Sequence, residues 1–530
     1  MTSTWLRRWT LVSAVACLGL FAADVFGQAK GKEAPLPKFK YKFNTPNATL
    51  RTNSGQLGST TQQVQKVLRG DTPLADMPNF DRFFTEYYFP MMTLDDASLA
   101  SEKTSVTTLR TRFFRDYLNS NAAPTTHAHL AGLTLTEMQK IVKDDYHPAA
   151  RYNAMLIIGL LNDSELVRTG ENKDKAGPSP HPRALPPMLE IYKAADSPDL
   201  VRLAALLGFV RHLEWDPWRS PDRRIAAATK KEIVDILLAL ANTKEPPADR
   251  TAEGHEWMRR KAIEGLGFAI TTKADPAIVA VLDKVMDDEK DTAEVRTTAA
   301  AAFGRGNFTG MPTPVAPAVE RLAKVTEAVF ESELHRLTDQ RKREAAQVGI
   351  VGPSAGGAGI GGPPPGVRGE MMRGPGDYNT VTPDDPHYYR VEYSRRKVRA
   401  GLHGIEGALN GVDDRPNMNN PRTWEKDRAA SGEVRGLTLL AAARPAAQQK
   451  ADKDAVDKLK KEIDRLVKII ENETADLDRE SYEEALKTAA AEASQFIGGP
   501  PPATAPAQPG APAAQPGAPA NQAAPADFSE

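Results

Sequence analysis

The 530-residue chain has a single cysteine, Cys17, few aromatics at 7%, and no surplus of either charge, with Lys+Arg 68 against Asp+Glu 69 and a formal net charge of -1. Each shortage excludes something. Balanced charge gives no global field to draw the protein to nucleic acid or to an anionic membrane, so neither is expected as a partner. No apolar run reaches the roughly 20 residues that a spanning helix needs, so no transmembrane segment is expected. The longest such run, Thr10 to Ala23, follows the basic pair Arg7-Arg8 and precedes Val25-Phe26-Gly27, a spacing suited to signal cleavage. Residues 1–29 therefore read as a secretory signal peptide, and the mature chain is expected to be soluble and exported, periplasmic or extracellular. Cleavage near Gly27 removes Cys17, and with it any disulfide, thiolate metal ligand or cysteine nucleophile. Two other leader readings fit less well. Leu6 and Thr10 do not complete a twin-arginine pattern, and Ala14 stands where a lipid-attachment sequence before Cys17 expects Leu.

What the chain does have is a recurring ten-residue phrase. It runs Ala150-Arg151-Tyr152-Asn153-Ala154 through Gly159, Met258-Arg259-Arg260-Lys261-Ala262 through Gly267, and Val295-Arg296-Thr297-Thr298-Ala299 through Gly304. An apolar residue, an Arg, an Ala and a Gly at this spacing suit the inner helix of a stacked helical-hairpin array, where small residues permit close approach. Softer copies begin at Val201, with Arg202, Ala205 and an early Gly208, at Val398, with Arg399 and Gly407, and at Val434, with Arg435 and a closing Ala443. Starts at 150, 201, 258, 295, 398 and 434 lie 51, 57, 37, 103 and 36 residues apart. Inserts rich in Pro, Gly and charge fill the longer gaps at 170–187, 214–224 and 243–256. Asp196-Ser197-Pro198-Asp199 and Asp291-Thr292-Ala293-Glu294 supply helix starts with a capping residue and an acid in the first turn. Candidate outer helices precede them at 188–195, 230–242 and 275–287.

The flanks are less regular. Residues 30–50 read as an unstructured leader, and 51–144 as a helical region in which Phe80, Phe83, Phe84, Tyr87 and Tyr88 pack one face of a core. The array occupies 145–347, ending in a long helix over 317–346 with Leu322, Val325, Val329, Leu334 and Leu337 on one stripe. A Gly/Pro-rich stretch at 348–377 cannot bury enough apolar surface to offset its chain entropy and reads as a disordered loop. Repeats and capping helices resume over 378–497. There Val456, Leu459, Ile463, Leu466 and Ile470 form two heptads, too few to establish a coiled coil, so a capping helix is favoured over a dimer seam. A Pro/Ala-rich tail, 498–530, is expected to be disordered.

The repeated phrase resembles the HEAT-repeat superfamily, including its bacterial short-repeat branch, in which the second helix opens on an acid, continues Val-Arg and closes on Leu-Gly. Met258 to Gly267 and Val295 to Gly304 match best, and the resemblance covers 145–310 and, less closely, 390–445. It implies an all-α fold, an α-solenoid of HEAT-like helical hairpins. It also implies that Arg202, Arg259 and Arg296 brace neighbouring acids rather than bind substrate. Members of that superfamily mostly bind proteins along a concave surface, and a few are lyases acting on bound pigments.

Patterns that carry chemistry are sparse. His127 and His129 are close in sequence, with Asp144, Asp145 and His147 following, but two His at this spacing share a metal only on an extended segment, and an exposed polar turn is expected. No zinc-protease helix motif and no serine nucleophile elbow occur, and the Gly-rich stretch at 352–366 lacks the ending of a phosphate loop. Asn47-Ala48-Thr49 and Asn307-Phe308-Thr309 matter as glycan acceptors only in a eukaryotic host. Trp215, Trp218 and Arg219 form the most unusual cluster and the candidate partner-binding surface, because aromatic faces give contact area at small entropic cost and Arg adds a charged fork. No catalytic, cofactor or metal residue is assigned. The expectation is an exported, non-catalytic scaffold for a protein or cell-envelope partner, monomeric rather than self-associating. The alternatives are a lyase or metal-dependent enzyme with a groove site and a self-associating structural protein.

Overall fold

Helix makes up 76% of the described residues, against one two-stranded ribbon, Asn162–Ser164 with Ser179–Pro180, so the chain is all-α. The structure, a computed structural model, describes residues 41–118, 122–165, 178–350, 386–412, 434–471 and 479–498. The expected signal peptide with Cys17, most of the 30–50 leader, 351–377 of the Gly/Pro-rich loop and the tail from 499 lie outside the described residues. No helix among the described residues is long and apolar enough to cross a membrane.

The leader expectation needs correction over 41–50. The backbone N–H of Lys42 donates to Asp145 O at 2.9 Å, that of Asn44 to Thr93 Oγ1 at 2.9 Å, and that of Asn47 to Glu86 O at 2.7 Å. The last contact has a local cause. Pro90 follows Glu86 by four residues and has no N–H, so it leaves that helical carbonyl without its usual partner, and Asn47 takes it. Asn47 then caps a short helix, Ala48–Thr52, which leads into α1 (Ser54–Arg69).

Residues 80–91 and 106–117 are two helical stretches whose middles widen into π-helix, Phe83–Tyr88 and Phe113–Tyr117. Aromatic rings explain their packing. Phe84 meets Tyr117 edge-on at 5.3 Å, Tyr88 meets Tyr117 at 5.1 Å and Phe89 meets Phe113 at 5.6 Å between centroids. Phe80, Phe83, Phe84 and Tyr88 are buried and Tyr87 is partly so, as a core face requires. Burial pushes the Tyr88 and Tyr117 hydroxyls upward in pKa, and Tyr88 donates to Leu109 O at 2.9 Å.

Ten further helices follow in the chain. The even-numbered ones are α2 (Pro124–Lys143), α4 (Leu185–Lys193), α6 (Ala227–Asn242), α8 (Pro276–Asp287) and α10 (Val315–Ile350). The odd-numbered ones are α3 (Pro148–Leu160), α5 (Asp199–Trp215), α7 (Ala252–Ala269), α9 (Ala293–Gly304) and α11 (Pro386–Asn410). Each odd helix packs on its even neighbour and on the next odd helix: α3 on α5, α5 on α7, α7 on α9, α9 on α11. The small residues lie where odd helices meet. Ala154, Ala205, Ala262 and Ala299 are buried. A Cβ on Gly159 would stand 3.0 Å from Gly208 Cα, so the early glycine of the second copy answers the closing glycine of the first. One on Gly267 would stand 2.7 Å from Ala302 Cα, and one on Gly304 2.5 Å from the Gly407 carbonyl carbon. Backbones thus touch directly, which only Gly permits.

The recurring arginines share a task that the sequence did not reveal. Arg151 Nε donates to Val142 O at 2.9 Å, Arg202 Nη2 to Ala194 O at 2.7 Å, Arg259 Nη2 to Ala241 O at 3.1 Å and Arg296 Nε to Met286 O at 2.9 Å. Each accepting carbonyl lies at the C-terminal end of the preceding even helix, where carbonyls lack helical partners and the dipole attracts a cation. Arg151, Arg202 and Arg296 stand fourth in their helices. Arg259 stands eighth, and α7 therefore carries one extra N-terminal turn while keeping the same contact. Arg259 also braces an acid, Asp291, through 2.8 and 3.1 Å bonds, both residues buried.

Three start signals are placed differently from expectation. Thr292, not Asp291, caps α9, because Asp291 is taken by Arg259. Ser197 caps nothing and Pro198, expected in the first turn, takes the cap position of α5 itself, while Asp199 stands in the first turn as expected and pairs with Arg250. The last two copies also shift. Arg399 lies midway along α11 and pairs with Glu471 at 2.9 Å, while Arg435 precedes α12 (Gly436–Ala442) and reaches back to Arg305 O, just past α9, at 3.3 Å. α13 (Ala446–Ile470) buries Val456, Leu459, Ile463, Leu466 and Ile470 against α14 (Arg479–Phe496) and α10.

Candidate functional site

α5 ends in Trp215, and Asp216-Pro217-Trp218 forms a 3-10 turn with Pro in its first positions. Asp216 holds this turn from inside. Its Oδ1 accepts from Ile225 N at 2.7 Å and its Oδ2 pairs with Lys230 of α6 at 3.1 Å. Arg223, in the next 3-10 turn, pairs with Asp163 of the ribbon at 2.7 Å. Four elements thus fix one short segment, and Trp215 and Trp218 stand half-buried on it.

Arg219 requires a correction as a partner-binding residue. It is buried, with Nη2 3.3 Å from His212 Nδ1 and Nη1 donating to Arg223 O at 3.4 Å. The turn folds its cation inward because α5 offers an acceptor there, which leaves the two Trp as the accessible part. Burial lowers the pKa of Arg219 from its ordinary value.

Behind the turn lies a polar cluster that no sequence pattern announces. Arg211 Nη1 donates to Gly159 O at 3.0 Å, and Nη2 bonds Asn162 Oδ1. Asn162 in turn donates to Glu165 Oε2 at 2.7 Å, and His127 Nε2 lies 3.3 Å from Glu165 Oε1. Burial pulls the Arg211 pKa down to about 10, against the opposing charges of Glu165 and Glu214. His212 is fully buried, and burial together with Arg219, Arg211 and His181 holds its pKa well below that of a free imidazole. His181 is lowered as well, by burial and then by Arg183. The only sequence trace of His212 is a basic residue at the end of an otherwise apolar helix face.

His127 and His129 are not on an exposed turn. Both lie in the first turns of α2, which starts at Pro124, and they diverge: His127 is buried toward Glu165, whereas His129 pairs with Asp81 at 2.7 Å. Asp144 pairs with Lys42, and His147 caps α3 by accepting from Ala149 N at 3.2 Å. Among the described residues no group of three or more His, Cys, Asp or Glu is placed to hold a metal ion. The 352–366 stretch lies outside the described residues.

No family model, curated protein or solved structure matches this chain. Its function has to be argued from its own geometry. The glycan-type sequences add little, since Asn47 is a helix cap and the Asn307 amide donates to Thr272 O at 3.1 Å. A buried ionic cluster joins α10, α11 and α14, where Glu333 meets Arg336 and Lys397 and Arg395 stacks 5.5 Å from the Tyr482 ring. It ties helices together as the Arg211 cluster does at the other end.

Proposed function

We propose that this protein is an exported, non-catalytic scaffold, a HEAT-like α-solenoid that offers the Trp215–Trp218 turn and its surroundings to a protein or cell-envelope partner. The observation that carries the reading is the succession of α3, α5, α7, α9 and α11, each meeting the next at a Gly and each of the first four holding its even neighbour by an Arg. A chain built this way presents a long surface of similar helix edges, suited to extended contact. The Trp turn adds two aromatic faces held rigidly by Asp216, so little ordering entropy is lost when a partner covers them. A monomer is the expected state, since the apolar stripe of α13 is already covered from within the chain.

Crosslinking in the envelope of producing cells, followed by mass spectrometry, tests the reading. A discrete partner is expected, with recovery reduced about tenfold or more in the Trp215→Ala, Trp218→Ala double variant, as for aromatic anchor residues. Unchanged recovery takes the turn out of the proposal, and a monomer that captures nothing overturns the scaffold role.

A further inference from the structure

We propose that the His212–Arg219 contact is an acid-sensitive latch, holding the Trp215–Arg219 turn against the helices at neutral pH and releasing it when His212 takes up a proton. This does not rest on the scaffold reading, because it follows from hydrogen-bond roles. A guanidinium only donates, so at 3.3 Å from Arg219 Nη2 the His212 Nδ1 must accept, and its proton must sit on Nε2. That Nε2 is buried and has no hydrogen-bond partner among the described residues, and neither has Arg219 Nε. A second proton would go to Nδ1, turning the acceptor into a donor that faces Arg219, with two positive charges in contact. Contact and protonation exclude each other.

The surroundings give the proton no compensation. On α5 itself Arg211 adds positive charge, and His181, just after the ribbon, also opposes the proton. Asp163 and Asp216 act on Arg219, and Glu165 and Glu214 on Arg211. His127 of α2 is directed at Glu165, Lys230 of α6 at Asp216, and Arg223 at Asp163. The Lys261 and Glu264 side chains of α7 pair with each other at 2.6 Å, and the one charged residue of α3, Arg151, is engaged at the opposite end of that helix.

A comparable contact on the next odd helix shows what is special here. Arg250 Nη1 lies 2.9 Å from His255 Nδ1, but there His255 Nε2 donates to Thr243 O at 2.7 Å and Arg250 pairs with Asp199. That chain is satisfied at both ends. The His212 chain is not, so the turn it holds is the one poised to leave.

The direction with pH follows. Because the folded, latched His212 binds its proton more weakly than a free imidazole, latching is fully stable above about pH 6.5 and is lost as pH falls through the lower folded value. Amide hydrogen exchange of residues 216–225 in the whole protein, corrected for intrinsic rates, is expected to rise by about tenfold per pH unit from about pH 6.5 down to that lower value, one proton being taken up per opening. His212→Gln, whose amide oxygen accepts from Arg219 without titrating, is expected to abolish this rise. Equal pH dependence in both proteins, or a flat profile in the native one between pH 7.5 and 4.5, overturns the latch. Should the variant fail to fold, C2-hydrogen exchange of His212 in the native protein decides: a midpoint at or above that of a free imidazole overturns the proposal, and a clearly lower one that coincides with loosening of 216–225 supports it.

Discussion

Two parts of this chain solve helix packing in opposite ways. Between 80 and 117 the helices are held apart and locked by rings, with Phe84, Tyr88, Phe89, Phe113 and Tyr117 edge-to-face or tilted against one another. Between 148 and 410 the odd helices meet closely, backbone on backbone at Gly159, Gly267 and Gly304, and at Gly265 against the Val210 and Leu213 side chains. The first solution pays in helix regularity, since both aromatic stretches open into π-helix. The second keeps regular helices but has no tolerance for an added atom. Large side chains can be fitted in many orientations, whereas a glycine contact has one geometry, which is why the second solution can recur along a chain.

Three substitutions probe that contrast. The largest effect is expected where a ring is removed: Phe84→Ala should lose about 3–5 kcal/mol in urea unfolding, the cost of a large aromatic cavity, and a loss below about 1 kcal/mol would mean that the cluster is loosely packed. Next comes the added methyl. Gly304→Ala should destabilise by about 1–3 kcal/mol, because the new Cβ meets the Gly407 backbone rather than a side chain that can turn away. The smallest change has the opposite sign. Gly58, in the second turn of α1, has nothing within 4 Å of an added Cβ, so Gly58→Ala should stabilise by about 0.5–1 kcal/mol through helix propensity. If both glycine substitutions moved stability the same way, close approach would not be the reason for Gly304.

The helical class and the row of small residues were legible because both are written as periodic patterns. Val295-Arg296 through Gly304 reads as a helix from its spacing alone, and the long helix at Val315–Ile350 follows from its Leu/Val stripe. What stayed hidden depends on partners distant in the chain. Nothing near Asn47 says that Pro90 will free a carbonyl for it. Asp291 reads as a cap until Arg259, 32 residues earlier, claims it. The arginines were legible as structural, yet their carbonyl targets depend on where each preceding helix stops, and sequence fixes such ends poorly. At the candidate site the two Trp stood out by composition. The inward turn of Arg219 did not, because it requires knowing that His212 faces it from seven residues back.

The meeting of Gly304 with Gly407 makes α11 the direct neighbour of α9, although α10 and residues 351–385 separate them in the chain. α9 and α11 are held together by this contact, whatever the length of chain that joins them. Doubling the span of a flexible detour adds only about 0.6 kcal/mol of closure entropy. The connection between α10 and α11 can therefore change length at little cost while α9 and α11 stay in contact, which makes it the natural point for the molecule to acquire new parts.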